Sequence, residues 1–285
     1  MKNLLSTPRG TFHVRTYGNP AHPPVILLHG WPQTGYCWHH LAAHLDGLYV
    51  IAPDLRGMGD SNRELDLKFY TKDQMSLDIF AIADAMGIEK FYLGGHDWGG
   101  AIAQEMAFLH PERIQKLIII NMVIINNAIG QAKAAEVLIP HQFRSSWYQF
   151  FLSIKDLPEA LIAGKEETWI RFFSRGISNP VPEDAIQEYT RCYQIPHSIT
   201  TAANIYRALP QDRERWKKHY ATQKVAIPTN LIHGVLDPVI IKEYIIGVEE
   251  SYSNVTVTKL QGGHFVVDEQ PKEVGQAIQQ FLLEQ

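Results

Sequence analysis

Short apolar segments alternate with longer amphipathic ones along the first 125 residues. The apolar segments cover residues 25–28, 49–52, 91–93 and 117–120, and breaker or polar residues follow each of them. Between the second and third segments, Met75, Ile79, Ile82 and Met86 recur at roughly helical spacing. Near-continuous apolar strands separated by helices are typical of a parallel sheet that is buried on both faces. The pattern therefore predicts an α/β fold, with a mostly parallel central sheet flanked by helices.

The pattern changes between residues 126 and 223. Strand-like apolar segments disappear, and aromatic residues, polar helices and the breaker segment 179–182 replace them. After this region the first pattern resumes, with predicted strands at 229–232 and 255–260 and a closing amphipathic helix at 271–283. We interpret residues 1–125 and 224–285 as one core domain, and residues 126–223 as a helical cap inserted into it.

Composition supports a globular protein and narrows the range of partners. Apolar residues make up 45% of the 285 residues and charged residues 20%. The 26 basic and 30 acidic residues give a net charge of −4, which argues against nucleic acid and against a strongly basic membrane surface. The most apolar segment, 117–125, is shorter than the roughly 20 residues that span a bilayer. The N-terminus has one cation and two leucines rather than a secretory signal, so we expect a cytoplasmic protein.

Neither the cysteines nor the histidines indicate a metal site. Cys37 and Cys192 lie far apart and neither belongs to a C-x-x-C pair. The histidines outside the strand ends, such as His39, His44 and His219, have no metal-ligand spacing with nearby cysteines or carboxylates. We expect no metal and no cofactor.

A candidate nucleophile lies between the strand at 91–93 and the helix that begins near residue 100. Residues 95–99 read Gly-His-Asp-Trp-Gly, which matches the nucleophile elbow G-x-S-x-G with Asp97 in place of serine. A carboxylate is ionised at neutral pH and needs no base before it attacks carbon. The alternative is that Asp97 only caps the following helix.

Two further polar residues follow the last two predicted strands. Asp237 comes after the strand at 229–232, and His264 comes after the strand at 255–260. The order nucleophile, acid, histidine is that of the α/β-hydrolase triad. The alternative is that Asp237 is only a turn residue and that another carboxylate orients His264. Residues 120–123 offer no such carboxylate, and we expect Asp268 to face the surface or to cap the last helix.

The chain resembles the α/β-hydrolase-fold enzymes that use an aspartate nucleophile, the epoxide hydrolases and dehalogenases. Four segments match in order along nearly the whole length: residues 29–32 (His-Gly-Trp-Pro), residues 54–61, the elbow at Asp97, and the turns that carry Asp237 and His264. The resemblance implies that the backbone N–H groups of Trp31 and Trp98 form an oxyanion hole. It also implies a cis Trp31–Pro32 bond, His264 as general base and Asp237 as its partner.

The leaving group separates the candidate substrates of this family. An epoxide opens to an alkoxide, which needs a general acid, whereas a halide needs only hydrogen-bond donors. Trp98 matches one halide donor of the haloalkane dehalogenases, but Trp31 replaces their asparagine. Fluoroacetate dehalogenases place arginines where this chain has Trp98 and Ala101, so a haloacid is disfavoured. The resemblance of residues 204–209 to an epoxide-hydrolase segment assigns Tyr206 as one ring-opening acid, and Tyr148 lies where the second is expected.

These observations favour an epoxide hydrolase that makes an alkyl ester on Asp97 and yields a diol. Tyr189 and Tyr193 are alternative acids, and Trp147, Phe150 and Phe151 are expected to line an apolar substrate pocket. A haloalkane or haloacid dehalogenase is the second hypothesis, and a non-catalytic binding module is the third. The expected partner is a small apolar epoxide or halide, and a homodimer is possible. Structural roles are expected for the remaining polar residues of these motifs: Asp54, Arg56, Asp60, His29, His96 and His233.

Overall fold

The computed structural model describes residues 3–141 and 143–283. Its strands are β1 (Leu4–Thr7), β2 (Gly10–Tyr17), β3 (Pro24–Leu28), β4 (Tyr49–Pro53), β5 (Phe91–His96), β6 (Ile114–Ile120), β7 (Thr229–Gly234) and β8 (Val255–Leu260). Its α-helices are α1 (His39–Ala42), α2 (Lys72–Ala85), α3 (Trp98–Leu109), α4 (Ala128–Leu138), α5 (Trp147–Ser153), α6 (Leu157–Ile162), α7 (Glu166–Phe173), α8 (Glu183–Tyr193), α9 (Ser198–Arg207), α10 (Leu209–His219), α11 (Val266–Glu269) and α12 (Pro271–Leu283).

The eight strands form one sheet in the order β1-β2-β4-β3-β5-β6-β7-β8. Strands β3 to β8 are parallel to one another, and the N-terminal strands β1 and β2 join antiparallel at one edge. Each strand predicted from the apolar pattern lies within β3 to β8. The predicted α/β fold with a mostly parallel sheet is therefore confirmed, and the antiparallel pair at its edge is an addition to it.

Burial on both faces accounts for the apolar runs in the central strands. Residues 25–28 of β3 are fully buried, and the last four residues of β6 are buried as well. Helix α3 packs against β3, β5 and β6, and α2 packs against α3 and β1. Burial of such strands between two helical layers is the usual way in which a parallel sheet keeps its apolar surface from water.

The parallel strands bring four loops to the same edge of the sheet. Leu28 pairs with Gly95 across β3 and β5, and His96 pairs with Ile120 across β5 and β6. Farther along the sheet, Gly234 at the end of β7 pairs with Leu260 at the end of β8. The loops that follow these strands carry residue 31, residue 97, residue 237 and residue 264, so distant parts of the sequence meet at the carboxyl edge.

Among the described residues, seven α-helices, α4 to α10, lie between β6 and β7 along the chain. Lys72 of α2 forms an ion pair with Asp212 of α10 at 2.9 Å, and both side chains are fully buried. The Lys72 ammonium also donates to the carbonyl of Ile205 in α9 at 2.8 Å. These contacts join the helical segment to the sheet domain beside the carboxyl edge. Among the residues that the structure describes, no helix has both the length and the apolar character needed to cross a bilayer.

Candidate active site

Asp97 occupies a sharp turn between β5 and α3. Its backbone has φ 49° and ψ −126°, a conformation that costs energy for a residue with a side chain. The turn also requires glycine on both sides, because a Cβ on Gly95 would overlap the carbonyl of Gly99, and a Cβ on Gly99 would overlap the carbonyl of Leu28. The tight turn places the Asp97 carboxylate above the carboxyl edge of the sheet, where it is 7% exposed.

The two oxygens of the Asp97 carboxylate face different partners. The backbone N–H of Trp31 donates to Oδ1 at 2.8 Å. Nε2 of His264 lies 3.5 Å from Oδ2. The Trp31–Pro32 bond, in the loop that supplies the N–H, is cis as the sequence predicts. One oxygen is therefore held by a fixed donor, and the other is left toward the histidine.

His264 is bound on its other side by Asp237. Nδ1 of His264 lies 2.7 Å from Oδ2 of Asp237, and Oδ1 of Asp237 accepts from the backbone N–H groups of Val239 and Ile240 at 2.7 and 3.0 Å. Burial opposes the imidazolium, but the Asp237 and Asp97 carboxylates outweigh it and raise the pKa of His264 to about 10. Burial favours the neutral acid at Asp237, yet His264 outweighs this and lowers the pKa of the Asp237 carboxyl.

Tyr148 and Tyr206 form the opposite wall of the site, on α5 and α9. Their ring centroids are 5.9 Å apart, and both side chains are buried. Tyr148 stacks on Trp31 at 5.1 Å, and Tyr206 packs edge-on against Trp98 at 5.2 Å. Burial raises the pKa of both hydroxyls, and the nearby Asp97 carboxylate adds to the effect. Both phenols are therefore in the protonated form at neutral pH.

A cavity of about 370 Å³ opens beside these residues. His264 and Tyr148 reach its wall, and Trp147 lines it as predicted from the sequence. The remaining lining is mostly apolar, with two arginines and one glutamate: Trp31, Arg144, Ser145, Phe172, Phe173, Arg175, Gly176, Ile177, Pro238, Val239, Phe265 and Glu269. A cavity of this size accommodates a small organic molecule.

The prediction for Phe150 is wrong. Phe150 is 64% exposed and is absent from the cavity wall, because it lies on the face of α5 opposite to Tyr148. Phe151 is partly buried and packs against Trp147 and Trp169 at 6.0 and 5.5 Å, behind the wall rather than in it. Of the three predicted aromatic contacts, Trp147 is the one that reaches the cavity.

Comparison with known proteins agrees with this geometry. Residues 23–271 match the family model of the alpha/beta hydrolase fold. The chain belongs to the α/β-hydrolase family. The soluble epoxide hydrolase of Corynebacterium sp. (strain C12) is 32% identical over 88% of this chain and 87% of its own. Epoxide hydrolase 4 of Mus musculus is 30% identical over 96% of this chain and 77% of its own.

Solved structures give the same result. A structure described as novel epoxide hydrolases of the alpha/beta hydrolase superfamily from metagenomes of hot environments has a TM-score of 0.85 at 27% identity, over 100% of this chain and 99% of its own. The structure of the epoxide hydrolase CorEH has a TM-score of 0.83 at 28% identity and covers 99% of this chain and 98% of its own. Together with the family match, these likenesses show that this α/β-hydrolase chain is a hydrolytic enzyme.

In this α/β hydrolase the alternative acids are engaged elsewhere. The hydroxyl of Tyr193 accepts a hydrogen bond from Nε1 of Trp31 at 2.7 Å. The hydroxyl of Tyr189 donates to the carboxyl of Asp268 at 2.9 Å. The expectation that Asp268 faces the surface or caps the last helix is wrong, since Asp268 is 3% exposed and also contacts Gln33 at 2.7 Å. The apolar surroundings of residues 265–267 are the signal in the sequence that favours burial of this segment.

Asn121 is a functional neighbour that sequence reasoning passed over. It follows β6 with φ 42°, and its Oδ1 accepts from the backbone N–H of Gly234 at 2.7 Å. Its Nδ2 donates to the carbonyls of Gly263 and His264 at 2.8 and 3.0 Å. The amide thus joins the loop of Asp237 to the loop of His264. The sequence shows that this strand end lacks a carboxylate, but not that an amide links the two loops.

A group of ligand-type side chains lies under the loop at residues 54–61. His13, Asp54 and Asp60 place possible ligand atoms within 4.8 Å of one another. The Asp54 carboxylate, however, accepts from the backbone N–H groups of Gly35 and Asp60 at 2.8 and 2.9 Å, and from Arg15 at 2.6 Å. Its lone pairs are therefore used by the protein, which fits a structural role in ordering the loop beside the site.

Two other residues of this structural group, Arg56 and His29, are buried and hydrogen-bonded within the protein. Arg56 makes two hydrogen bonds of 2.6 Å to Asp78. His29 accepts from the backbone N–H of Leu55 at 2.9 Å, and burial lowers the pKa of its imidazole to about 4. Arg56 thus anchors the loop at residues 54–61 to α2, and His29 joins that loop to the one that carries Trp31.

Proposed function

We propose that this enzyme hydrolyses an epoxide to a diol through an ester on Asp97. The observation that carries the proposal is the position of the Asp97 carboxylate, between the Trp31 N–H, His264 and the wall formed by Tyr148 and Tyr206. The named function of the epoxide hydrolases to which this chain is similar supports the same reaction.

In the first step Oδ2 of Asp97 attacks a carbon of the three-membered ring. The C–O bond of that carbon breaks, and its electron pair goes to the ring oxygen. Tyr148 or Tyr206 gives its proton to this oxygen as it leaves, so that a hydroxyalkyl ester and a tyrosinate form. The Trp31 N–H on Oδ1 favours Oδ2 as the attacking atom, because Oδ1 is already held by a donor.

In the second step water hydrolyses the ester. His264 takes a proton from the water, and the resulting hydroxide attacks the Asp97 carboxyl carbon. Negative charge builds on Oδ1, where the N–H of Trp31 and, in our proposal, the N–H of Trp98 stabilise it. The intermediate collapses: the bond between the Asp97 carboxyl carbon and Oδ2 breaks, Oδ2 leaves with the diol, and His264 gives its proton to that oxygen. The new Asp97 carboxyl group then passes its proton to His264, which restores the carboxylate and the imidazolium of the free enzyme. The tyrosinate regains its proton from solvent, so one epoxide and one water give one diol.

The electrostatics of His264 suit this order of steps. In the free enzyme the Asp97 carboxylate contributes to the raised pKa, so His264 is an imidazolium at neutral pH. Esterification neutralises Asp97 and removes that contribution. The pKa of His264 then falls and the imidazolium releases its proton to solvent, so the neutral imidazole becomes available as a base only after the ester has formed.

We also propose that the segment from α4 to α10 is a cap that encloses the substrate over the sheet. It supplies both tyrosines and most of the aromatic wall of the cavity. An enclosed apolar cavity strengthens electrostatic interactions and restricts water to the step that needs it.

A haloalkane dehalogenase is the second candidate, and the indole of Trp98 favours it. Nε1 of Trp98 is buried and has no hydrogen-bond partner among the described residues, although Trp98 adjoins Asp97. Such an N–H could donate to a halide leaving group. The two tyrosines have no clear part in that reaction, so epoxide opening explains more of the site.

Mass spectrometry of a His264→Gln variant separates these candidates. If the proposal is correct, incubation with a small epoxide adds the mass of the intact epoxide to the protein. A mass gain equal to the alkyl group without its halogen, after incubation with a haloalkane, would support dehalogenation instead. An Asp97→Asn/His264→Gln double variant is the matched control and should form no adduct. Absence of any adduct from a panel of both classes would contradict ester chemistry at Asp97.

A further inference from the structure

A chain of buried hydrogen bonds runs from the helical segment to the backbone of His264. The Tyr189 hydroxyl contacts Oδ1 and Oδ2 of Asp268 at 3.1 and 2.9 Å, and Oδ2 of Asp268 lies 2.7 Å from the amide of Gln33. The other end of that amide lies 2.9 Å from Nδ1 of His96. Nε2 of His96 lies 2.7 Å from the carbonyl oxygen of His264. The four side chains that link α8 to this carbonyl are each at most 3% exposed.

This chain of hydrogen bonds connects three of the four loops at the carboxyl edge, those of residues 31, 97 and 264. Gln33 follows Trp31 by two residues, and His96 directly precedes Asp97. Asp268 follows His264 by four residues and belongs to α11. A change at any link therefore acts on the loops of the nucleophile, of the N–H donor and of the base together.

The chemistry of the atoms fixes the direction of these hydrogen bonds. The carbonyl of His264 can only accept, so Nε2 of His96 must carry a hydrogen. Burial, together with the neighbouring His264, lowers the pKa of His96 to about 4, so the ring is neutral and its Nδ1 is an acceptor. In the structure Nε2 of Gln33 faces Asp268 and Oε1 faces His96, so the amide must be turned by 180° to present its NH₂ to His96. Its carbonyl consequently faces Oδ2 of Asp268, where two acceptors meet unless Asp268 carries a proton.

The alternative arrangement places a charge on the histidine. If the Gln33 NH₂ points to an ionised Asp268, the Gln33 carbonyl faces His96, and both ring nitrogens need a hydrogen. This would be a buried imidazolium, which the low pKa of His96 opposes. If Asp268 is ionised and His96 stays neutral, with its hydrogen on Nδ1, then Nε2 of His96 presents a lone pair to the His264 carbonyl at 2.7 Å.

We propose that Asp268 is a positioning residue that carries a proton in the active enzyme and, through Gln33 and His96, holds the backbone carbonyl of His264. Ionisation of Asp268 then repels that carbonyl and moves the base away from the ester. Because the effect on turnover concerns the His264-dependent step, it rests on the function proposed above.

The surroundings of Asp268 agree with a protonated acid. Burial raises the pKa of its carboxyl to about 7, the Glu269 and Asp184 carboxylates add to this rise, and the contacts with Gln33 and Tyr189 act in the opposite direction. The titratable groups that face Asp268 are neutral or negative. They are Tyr189 and Asp184 of α8, Cys37 of the turn at 35–38, and the adjacent Glu269. Burial raises the pKa of the Cys37 thiol well above its usual value, so that group stays neutral.

Asp268→Asn is the informative substitution. The asparagine NH₂ can donate to the Gln33 carbonyl as the protonated acid does, and its carbonyl can accept from Tyr189, but it cannot ionise. In a single-turnover experiment with an epoxide, we expect the wild-type rate of ester hydrolysis to fall by up to about tenfold for each pH unit above a transition near neutrality. Asp268→Asn should keep the rate and lack this fall. Gln33→Met, which cuts the chain, should be slow at all pH values.

Two measurements test the proton directly and need no substrate. Infrared spectra of the wild-type enzyme, recorded about one pH unit below and above the transition, should contain a protonated-carboxyl band below it that is lost above it and absent from Asp268→Asn. ¹⁵N NMR of histidine-labelled wild-type enzyme, recorded at the pH below the transition, should show His96 with a hydrogen on Nε2 and none on Nδ1, assigned by its loss in His96→Asn.

The outcomes separate this inference from the proposed function. Failure to form an ester would contradict the proposed function and leave the infrared and NMR results to test the proton on Asp268. A missing carboxyl band, a hydrogen on Nδ1 of His96, or a wild-type pH profile that persists in Asp268→Asn would overturn the inference, whether or not the ester forms. If Asp268→Asn does not fold, the NMR result on the wild-type enzyme still decides.

Discussion

Nδ1 of His264 lies 2.7 Å from Oδ2 of Asp237, and both side chains are buried. Asp237 fixes the ring so that Nε2 faces Asp97. In the proposed mechanism it also favours the imidazolium that forms when His264 takes a proton from water. We predict that Asp237→Asn lowers the rate of ester hydrolysis by about 10²–10⁴-fold and leaves ester formation much less affected. Rapid-quench measurement of protein-bound alkyl group against time tests this. Equal slowing of both steps would contradict the assignment.

The raised pKa of His264 predicts a dependence on the charge of Asp97. In wild-type enzyme the pKa is about 10, and Asp97→Asn, which mimics the neutral ester, should lower it. Because the folded-state pKa exceeds the unfolded value of about 6.5, this proton stabilises the fold below that value, and the contribution is lost as pH rises through about 10. NMR titration of His264 in both proteins measures the difference. An identical pKa in Asp97→Asn would be inconsistent with the two-step scheme.

The two tyrosines are predicted to act in ring opening alone. Tyr206→Phe should reduce the rate of ester formation from an epoxide by about 10²–10⁴-fold, and Tyr148→Phe should act in the same direction. Ester formation from an alkyl halide should be spared, since a halide leaves without a proton. Single-turnover rates with both substrate classes test this expectation.

Tyr252→Phe is the control for these tyrosines. Tyr252 is equally buried, but its hydroxyl contacts Gln104 at 3.2 Å. Burial alone raises the pKa of Tyr252, whereas the Asp97 carboxylate also raises the pKa of Tyr148 and Tyr206. The control should leave ring opening unchanged. An epoxide rate that survives the double substitution of Tyr148 and Tyr206 would show that another group supplies the proton.

The buried Lys72–Asp212 ion pair is predicted to stabilise the contact between α2 and α10. Lys72 also lies 4.3 Å above the ring of Trp98. Lys72→Met leaves the Asp212 carboxylate buried without this partner, and should lower the free energy of unfolding by about 3–5 kcal/mol. Lys72→Met/Asp212→Leu should recover part of the loss. Urea unfolding measures both changes.

Lys133→Met offers a matched comparison, because it removes an exposed ion pair with Glu136. That substitution should leave the unfolding midpoint nearly unchanged. If Lys72→Met were as mild as Lys133→Met, the Lys72–Asp212 ion pair would not contribute to stability.

The central strands and the elbow could be read from the sequence because their causes are local. Continuous apolar runs indicate strands buried on both faces, and glycines at 95 and 99 indicate the tight turn at Asp97. By contrast, β1 has four residues, and β2, although eight residues long, has no continuous apolar run. Both are defined by pairing with each other and with β4. Pairing of that kind leaves little trace in the local pattern.

The errors at Asp268 and Phe150 have a different origin. Asp268 is buried because Tyr189 and Gln33, which are distant in sequence, cover and bond its carboxyl. Asp268 is followed by Glu269 and, three residues later, by Pro271. A charged residue in such a segment is predicted to be exposed unless those partners are known. Helical spacing shows that Phe150 and Tyr148 lie on different faces of α5, but the sequence does not say which face meets the site.

Isotope transfer to Asp97 tests the central claim most directly. The enzyme in excess would complete one turnover of an epoxide in H₂¹⁸O, and mass spectrometry of the peptide that contains residue 97 would follow. If the ester forms on Asp97 and water attacks its carboxyl carbon, one ¹⁸O enters this side chain and the diol of that turnover carries none from the solvent. Formation of a labelled diol with unlabelled Asp97 would contradict the mechanism.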